Sequence, residues 1–330
     1  MRPFEYVRAT DAASATAAMS AMPQAKYLAG GSNLLDLMKE DIERPTRLVD
    51  ITRLPLRDIQ RTRAGLSIGA LATNTETANH PLVRENYPLL TQAIVAGASG
   101  QLRNMATNGG NLMQRTRCNY FYDTATPCNK REAGSGCGAR EGLNKISAIL
   151  GWSEACVATY PGDMATALYA LDAKVRVRAS DGRERLIVIT DFHRLPGDTP
   201  EHDNNLAHGD LIVAIELPVS SGDFAGHSHY LKVRDRASYA FAMVSVAAAL
   251  DMDGNKIRQA RVVLGSVAHK PWRSAEAEAL LVGQRADEAT FQRAVEAALR
   301  NARPLAHNAH KVELGHRAVV RALMCASRLA

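Results

Sequence analysis

The chain has 330 residues, 46% of them hydrophobic and 22% charged, with a formal net charge of +6. That length leaves room for two or three compact units, each burying a core, and no apolar stretch, the run Ala240–Leu250 included, approaches the roughly 20 residues of a membrane-spanning helix. The basic excess is spread thinly, without a dense Lys/Arg block or a nucleic-acid motif, which argues against a nucleic-acid partner.

The opening residues, MRPFEYVRATD, place charge where a signal peptide needs a continuous apolar core, so the sequence predicts cytoplasmic assembly with no export signal of its own. Phe4–Val7 reads as a short strand, Ala12–Met22 as an Ala-rich helix, and Lys26–Leu28 as a strand running into Gly30 and Gly31. A helix over Asn33–Lys39 and a strand over Arg47–Asp50 complete a small α/β lobe. Leu66–Ala70 reads as a strand, with helices over Thr75–Asn79 and Leu89–Val95 before two glycine turns. After the cysteines come a helix over Met164–Leu171 and strands over Ala173–Ala179, Leu186–Thr190 and Asp210–Leu217. Gly222–His229 then separates a third unit, with strands over Tyr230–Val233, Ser245–Leu250 and Gln259–Val267. Apolar residues three and four apart predict closing helices over Ala275–Val282, Glu288–Ala302 and Val312–Leu329, covering one face of those strands.

Two glycine turns carry the first chemistry. In Leu28-Ala-Gly-Gly-Ser-Asn-Leu34 a strand meets two glycines, then Ser32 and Asn33, then an apolar helix. Such a turn points backbone N–H groups at an anion, although a plain strand-to-helix turn has the same composition. The second turn, Thr107-Asn-Gly-Gly-Asn111, offers Thr107 and Asn111 as side-chain partners and Gly109 and Gly110 as close-approach backbone. Two cradles suit a dinucleotide with two phosphates, and neither has the G-x-G-x-x-G spacing of a nicotinamide-binding Rossmann unit.

Of five cysteines, Cys118, Cys128, Cys137 and Cys156 fall within a 39-residue window, separated by nine, eight and eighteen residues. Structural zinc sites draw on tight C-x₂₋₄-C knuckles, and ferredoxin runs are equally absent, so spacing leaves iron–sulfur, zinc and merely buried thiols open. Arg115, Arg117, Lys130 and Arg131 place positive charge where it offsets an anionic cluster. Cys325, alone in an amphipathic C-terminal stretch, reads as a small buried hydrophobe.

The segments AGGSNLLDLMK, ATNGGNL, Tyr160-Pro-Gly-Asp-Met164 and Lys232-Val-Arg-Asp-Arg-Ala-Ser-Tyr-Ala-Phe241 together resemble the FAD-binding subunit of the xanthine dehydrogenase and aldehyde oxidoreductase family. The cysteine insertion is similar to that of bacterial molybdenum aldehyde oxidoreductases whose FAD subunit carries a [4Fe–4S] cluster and, with different spacing, to that of 4-hydroxybenzoyl-CoA reductase. The resemblance implies an α+β chain: a two-lobed FAD-binding domain of the vanillyl-alcohol-oxidase (PCMH) type, then a smaller domain like that of carbon monoxide dehydrogenase flavoproteins. The implied boundaries are 1–55 and 56–221 for the lobes, with the iron–sulfur insertion at about 115–158, and 222–330 for the C-terminal domain.

Carried across by position, the resemblance implies that Lys26, Tyr27, Leu28, Ala29, Gly30, Gly31, Ser32, Asn33 and Leu34 wrap the pyrophosphate. Thr107, Asn108, Gly109, Gly110 and Asn111 supply the second cradle. Asp163 meets the adenosine side, and Ile212 and Lys232 approach the isoalloxazine and its surroundings. Read from the residues alone, Asp163 also suits a helix N-cap and Lys232 a solvent-facing strand position. Cys118, Cys128, Cys137 and Cys156 become ligands of a [4Fe–4S] cluster.

The chain has neither the length nor the motifs for a molybdopterin domain or a plant-type [2Fe–2S] domain, so the implied enzyme needs a molybdopterin large subunit and a [2Fe–2S] small subunit as partners. A partner bearing a twin-arginine signal could then carry it to the periplasm. Xanthine dehydrogenase and 4-hydroxybenzoyl-CoA reductase subunits are alternatives within the family. A free-standing flavin oxidase needs a catalytic base beside the flavin, but the histidines cluster at 193–229 and 307–316, away from the glycine turns. A zinc-binding interaction module is the remaining class, and it predicts a colourless protein.

Overall fold

A computed structural model describes residues 1–328; the predicted end of the last helix at Leu329 and the boundary at Ala330 lie outside the described residues. The first of three sheets is parallel and contains β1 (Glu5–Arg8), β2 (Ala25–Leu28) and β3 (Arg47–Asp50), with β3 in the middle. Parallel neighbours need crossovers, which the helices Ala12–Ser20 and Leu34–Lys39 supply. Asp11 starts the first of these with a capping box, its carboxylate accepting from Ser14 N–H while the Ser14 hydroxyl accepts from Asp11 N–H.

The second sheet is antiparallel, in the order β4 (Ile59–Thr62), β5 (Gly65–Gly69), β8 (Leu211–Pro218), β6 (Lys174–Arg178), β7 (Glu184–Val188). β4 has no counterpart among the predicted strands. It is a polar edge strand with three of its four residues exposed, so hydropathy passes over it. β7 ends at Val188 and the chain turns into the short helix Ile189–Phe192, where the sequence predicts strand to Thr190.

β8 serves two cores. Leu211 and Val213 pack with the first sheet, while Ile212, Ile215 and Leu217 join the larger core. A register shift against β6 opposite Val213 switches the alternation, so residues on both sides of it reach the same core.

The third sheet is an antiparallel meander of β9 (Ser228–Val233), β10 (Val244–Asp253), β11 (Lys256–Gly265) and β12 (Trp272–Arg273). Val244, Val246, Ala248 and Leu250 of β10 face the helices Ala275–Leu281, Glu288–Leu299 and His310–Ser327. Ala247 and Ala249, on the opposite face, pack into the core that holds Met164 and Leu168. The helices cover one face as predicted, and the helix Asp163–Ala170 closes the other, which is why β10 reads as a continuous apolar run.

The segment 115–158 carries two one-turn helices, Asn119–Tyr122 and Gly138–Glu141, and otherwise turns. Side chains bonded to carbonyls organise it. Arg131 Nη1 donates to Tyr120 O and Phe121 O, both at 2.9 Å, and Asn129 Nδ2 donates to Ala155 O at 2.9 Å. Its end is clamped to the C-terminal unit by Lys311, whose buried ammonium donates to Ser147 O at 2.9 Å and Ser266 O at 2.6 Å. Burial pushes the Lys311 pKa down to about 7.

Candidate functional site

Two cavities, of about 950 and 500 Å³, meet at a common wall of Ser32, Asn33 and Gly110. Each is of the size in which proteins hold small molecules and cofactors, roughly 300–1,000 Å³. Lys26, Tyr27, Ala29, Gly30, Gly31, Ser32, Asn33, Leu34, Thr107 and Gly110 line the smaller one, and Gly110, Asn111, Asp163 and Lys232 line the larger. Four residues expected at the site line neither cavity. Leu28, Asn108, Gly109 and Ile212 lie behind its walls, Asn108 being fully buried and Ile212 packed beneath Gly109.

The first glycine turn is built as a cradle. Gly31 has φ +71°, and a side chain on Gly30 would strike Met105 O at 1.9 Å, so the turn and the end of the helix Gly100–Met105 close on each other only because no Cβ intervenes. Within the described chain the N–H groups of Gly31, Ser32 and Asn33 meet no acceptor. Asn33 Oδ1 accepts from Arg115 N–H at 2.9 Å, which fixes the amide's orientation and leaves Asn33 Nδ2 buried and unpartnered. Arg117 Nε, also lining the larger cavity, is a second buried donor without a partner. Backbone amides left free in a turn that lines the smaller cavity fit the phosphates of a dinucleotide.

The second turn differs from its expected form. Asn108 N–H donates to Ala72 O at 3.0 Å, Gly109 N–H to Ala70 O at 2.8 Å and Asn111 N–H to Thr107 O at 2.8 Å, while Gly110 N–H donates to Thr107 Oγ1 at 3.3 Å. The Asn111 side chain is occupied by Asn74 and Gln114. These amides fasten the turn to the chain after β5, and what remains for a ligand is the Thr107 hydroxyl hydrogen and the open face of Gly110.

Asp163 is not an N-cap and Lys232 is not solvent-facing. Asp163 stands in the first turn of its helix without a capping bond, and its carboxylate accepts from Tyr230 O–H at 2.6 Å and from Lys232 Nζ at 2.8 Å. The Lys232 side chain is 5% exposed. Asp163 and Lys232, expected to meet different parts of the cofactor, stand paired on one wall of the larger cavity.

Cys118, Cys128, Cys137 and Cys156 all line one small cavity, with Tyr120, Phe121 and Lys130. A miniature hairpin sets Cys128 opposite Cys137, with Asn129 N–H donating to Gly136 O at 2.7 Å and Gly138 N–H to Pro127 O at 3.0 Å. Cys118 precedes the helix Asn119–Tyr122, and a tight turn paired between Ser153 and Cys156 presents the fourth thiol. Among the described residues no three His, Cys, Asp or Glu side chains gather closely enough for a single metal ion, so the thiols share a cavity wall rather than one coordination point. Burial pushes the Cys156 thiol up to about 12 and raises Cys118, with neighbouring thiols adding to both. Four thiols lining one cavity are the soft donor set that a metal–sulfur core would use, and such a core would stabilise their thiolate forms there. Cys325 lies elsewhere, in the helix His310–Ser327.

A buried charge network joins the two sites. The three protons of the Lys130 ammonium meet Pro200 O at 2.8 Å, His269 Nε2 at 2.8 Å and Asp203 Oδ1. Burial, then Lys130, hold the His269 pKa down to about 4, so its Nδ1–H donates to Arg194 O and its Nε2 lone pair faces Lys130. Burial alone would raise Asp203, but Lys130 and Arg115 hold it well below the usual carboxylate range. Lys130 and Arg115 were legible as charge near the thiols. Asp203, Glu43 and His269, which balance and orient them, come from distant segments and left no local signal.

The FAD binding domain found in molybdopterin dehydrogenases matches residues 2–220, and the C-terminal domain of carbon monoxide dehydrogenase flavoprotein matches residues 229–326. The chain is 50% identical to the aldehyde oxidoreductase FAD-binding subunit PaoB of Escherichia coli over 98% of both proteins. It is 28% identical to the glyceraldehyde dehydrogenase medium chain of Sulfolobus acidocaldarius, over 86% of this chain and 83% of that one. The fold is that of a chain in the carbon monoxide dehydrogenase of Oligotropha carboxidovorans, with a TM-score of 0.78, 23% identity and full coverage of both chains. With cradle, domains and relatives in agreement, the chain belongs to the family of FAD-binding oxidoreductase subunits of the molybdenum aldehyde oxidoreductases.

Proposed function

We propose that this chain is the electron-transferring subunit of a heterotrimer that oxidises aldehydes to carboxylic acids. In this reading a large partner carries the molybdopterin, a small partner carries [2Fe–2S] centres, and FAD on this chain takes up their electrons and hands them to an external acceptor. The junction of the two cavities at Ser32, Asn33 and Gly110 carries the reading. Residues at that junction would hold the dinucleotide, with the free amides of Gly31, Ser32 and Asn33 available to its phosphates. The Escherichia coli relative, an aldehyde oxidoreductase subunit by name, supports the aldehyde as substrate.

Cys118, Cys128, Cys137 and Cys156 hold a [4Fe–4S] cluster, a reading supported by the shared thiol cavity and by the fully buried Lys130 ammonium on its wall. The proposed division is lobes at 1–55 and 56–221 and a C-terminal domain at 222–330, and the family matches at 2–220 and 229–326 support the boundary between the last two. No helix among the described residues is long and apolar enough to cross a membrane. Cytoplasmic assembly, with export on a signal-bearing partner as the alternative, is part of the proposal.

The test is anaerobic addition of an aldehyde to the co-expressed complex while the flavin absorbance is followed. Bleaching in the wild type, with none in a complex carrying Gly31→Leu, is the expected result. A wild-type flavin that stays oxidised while the aldehyde is consumed sinks the electron-transfer role.

A further inference from the structure

The side chain of Asp203 splits its two oxygens between the two sites. Oδ1 accepts from the Lys130 ammonium, whose side chain is 1% exposed and lines the thiol cavity two residues beyond Cys128. Oδ2 accepts from Arg115 Nε at 2.8 Å. Arg115 is held further by Glu43 Oε1 at 2.7 Å and by Lys130 O and Glu201 O, both at 3.3 Å, and its guanidinium lies over the Phe121 ring at 4.8 Å. The main-chain N–H of the same Arg115 holds Asn33 Oδ1, and Asn33 lines both cavities where they meet. Ion pairs thus run from the thiol cavity through Lys130, Asp203 and Arg115, and the Arg115 main-chain N–H carries the connection on to Asn33 at the junction of the cavities.

We propose that Asp203 is a positioning residue that couples occupancy of the four-cysteine site to the affinity of the FAD cradle. This rests on the reading of the four cysteines as cluster ligands. A filled thiol cavity fixes the wall on which Cys128 and Lys130 stand, Lys130 fixes Asp203, and Asp203 fixes the Arg115 backbone that aims Asn33. With the cavity emptied, Lys130 loses that wall and the cradle loses its aim. Coupling is reciprocal, so bound FAD protects the cluster equally. In Asp203→Asn one acceptor becomes an N–H₂ set against Lys130 or Arg115, both already donors, so the connection breaks while side-chain volume is kept.

The experiment uses the co-expressed complex and measures FAD affinity by fluorescence of released flavin, before and after iron is removed with a chelator. Wild type is expected to bind FAD roughly tenfold more weakly once stripped, a usual size for coupling between sites. Asp203→Asn is expected to bind FAD weakly in both states, with less than a twofold difference between them. A purely structural role for Asp203 lowers both affinities and keeps the wild-type ratio, which would overturn the proposal. Wild-type FAD affinity indifferent to iron removal would overturn it without any variant. A complex that never contained iron on this chain removes the cluster reading and the proposal with it, whereas iron present with no coupling removes the proposal alone.

Discussion

Lys232 Nζ lies 2.8 Å from Asp163 Oδ2 and ties a strand of the C-terminal sheet to the first turn of the helix Asp163–Ala170. Tyr230 O–H takes the other carboxylate oxygen, and Ala96 O accepts a further proton of Lys232 at 3.1 Å. Neither charged side chain is more than 10% exposed. Two domains therefore share one ion pair on the wall of the larger cavity.

Breaking a buried pair by removing one partner strands the other charge, at a cost of about 3–5 kcal/mol. Lys232→Met is expected to destabilise the protein by that order. The double variant Lys232→Met with Asp163→Asn is expected to recover part of the loss, because no uncompensated carboxylate remains. Urea unfolding of the wild type, Lys232→Met, Asp163→Asn and the double variant checks this, and a double variant that loses the sum of the two single losses contradicts it.

Gly30→Ala places a methyl group against Met105 O, where an ideal Cβ would stand 1.9 Å away. Backbone cannot yield as a flexible side chain can, so the turn must move off the helix Gly100–Met105. The variant is expected to fold with lowered Tm and to retain well under half of the wild-type flavin. Flavin released per chain on heating is the readout, and full retention refutes the close approach.

Asn33→Asp keeps the acceptor for Arg115 N–H and replaces the free Nδ2 donor with a carboxylate oxygen. A hydrogen bond to a charged group contributes about 1.5–3 kcal/mol, and like charge facing phosphate adds repulsion. FAD affinity is expected to fall at least tenfold, on the scale of about 1.4 kcal/mol per factor of ten. Fluorescence titration of the flavin-free complex measures it, and an unchanged affinity means that Nδ2 does not face the cofactor.

His193 and His269 are buried, and burial holds both near a pKa of about 4, against an ordinary value of 6.5. The folded state keeps them neutral while the unfolded chain takes up protons below pH 6.5. Their contribution to stability is therefore complete above that value and is lost as pH falls from 6.5 towards 4, by on the order of 1 kcal/mol per pH unit for each histidine. Urea midpoints at pH 7.5, 5.5 and 4.5 should decline in that order. A midpoint flat across this range would show that both rings ionise freely.

Much of this architecture was legible, and the failures share a cause. The strands at Lys26–Leu28, Arg47–Asp50 and Asp210–Leu217 announce themselves by apolar content beside turn residues, and the structure holds strands there. β4, polar and at a sheet edge, gives no such signal. At the site, the first glycine turn is a tight strand-to-helix turn with Gly31 at positive φ, a local geometry that its local sequence announces. The second turn spends its amides on Ala70, Ala72 and Thr107, two of them some 40 positions away, which no reading of neighbours reveals. The pairing of Asp163 with Lys232 spans 69 residues and leaves no local signal. The convergence of four widely spaced cysteines on one cavity is likewise a tertiary fact, since their spacing alone left the metal open.

The most direct test of the account is iron, acid-labile sulfide, zinc and flavin analysis of the purified complex alongside complexes carrying Cys128→Ala or Cys325→Ala on this chain. One FAD per complex is predicted, together with iron and sulfide beyond the content of the partner's [2Fe–2S] centres. That excess should amount to four of each, lost in Cys128→Ala and kept in Cys325→Ala. Stoichiometric zinc in its place, or an iron content untouched by Cys128→Ala, contradicts the account of the four-cysteine site.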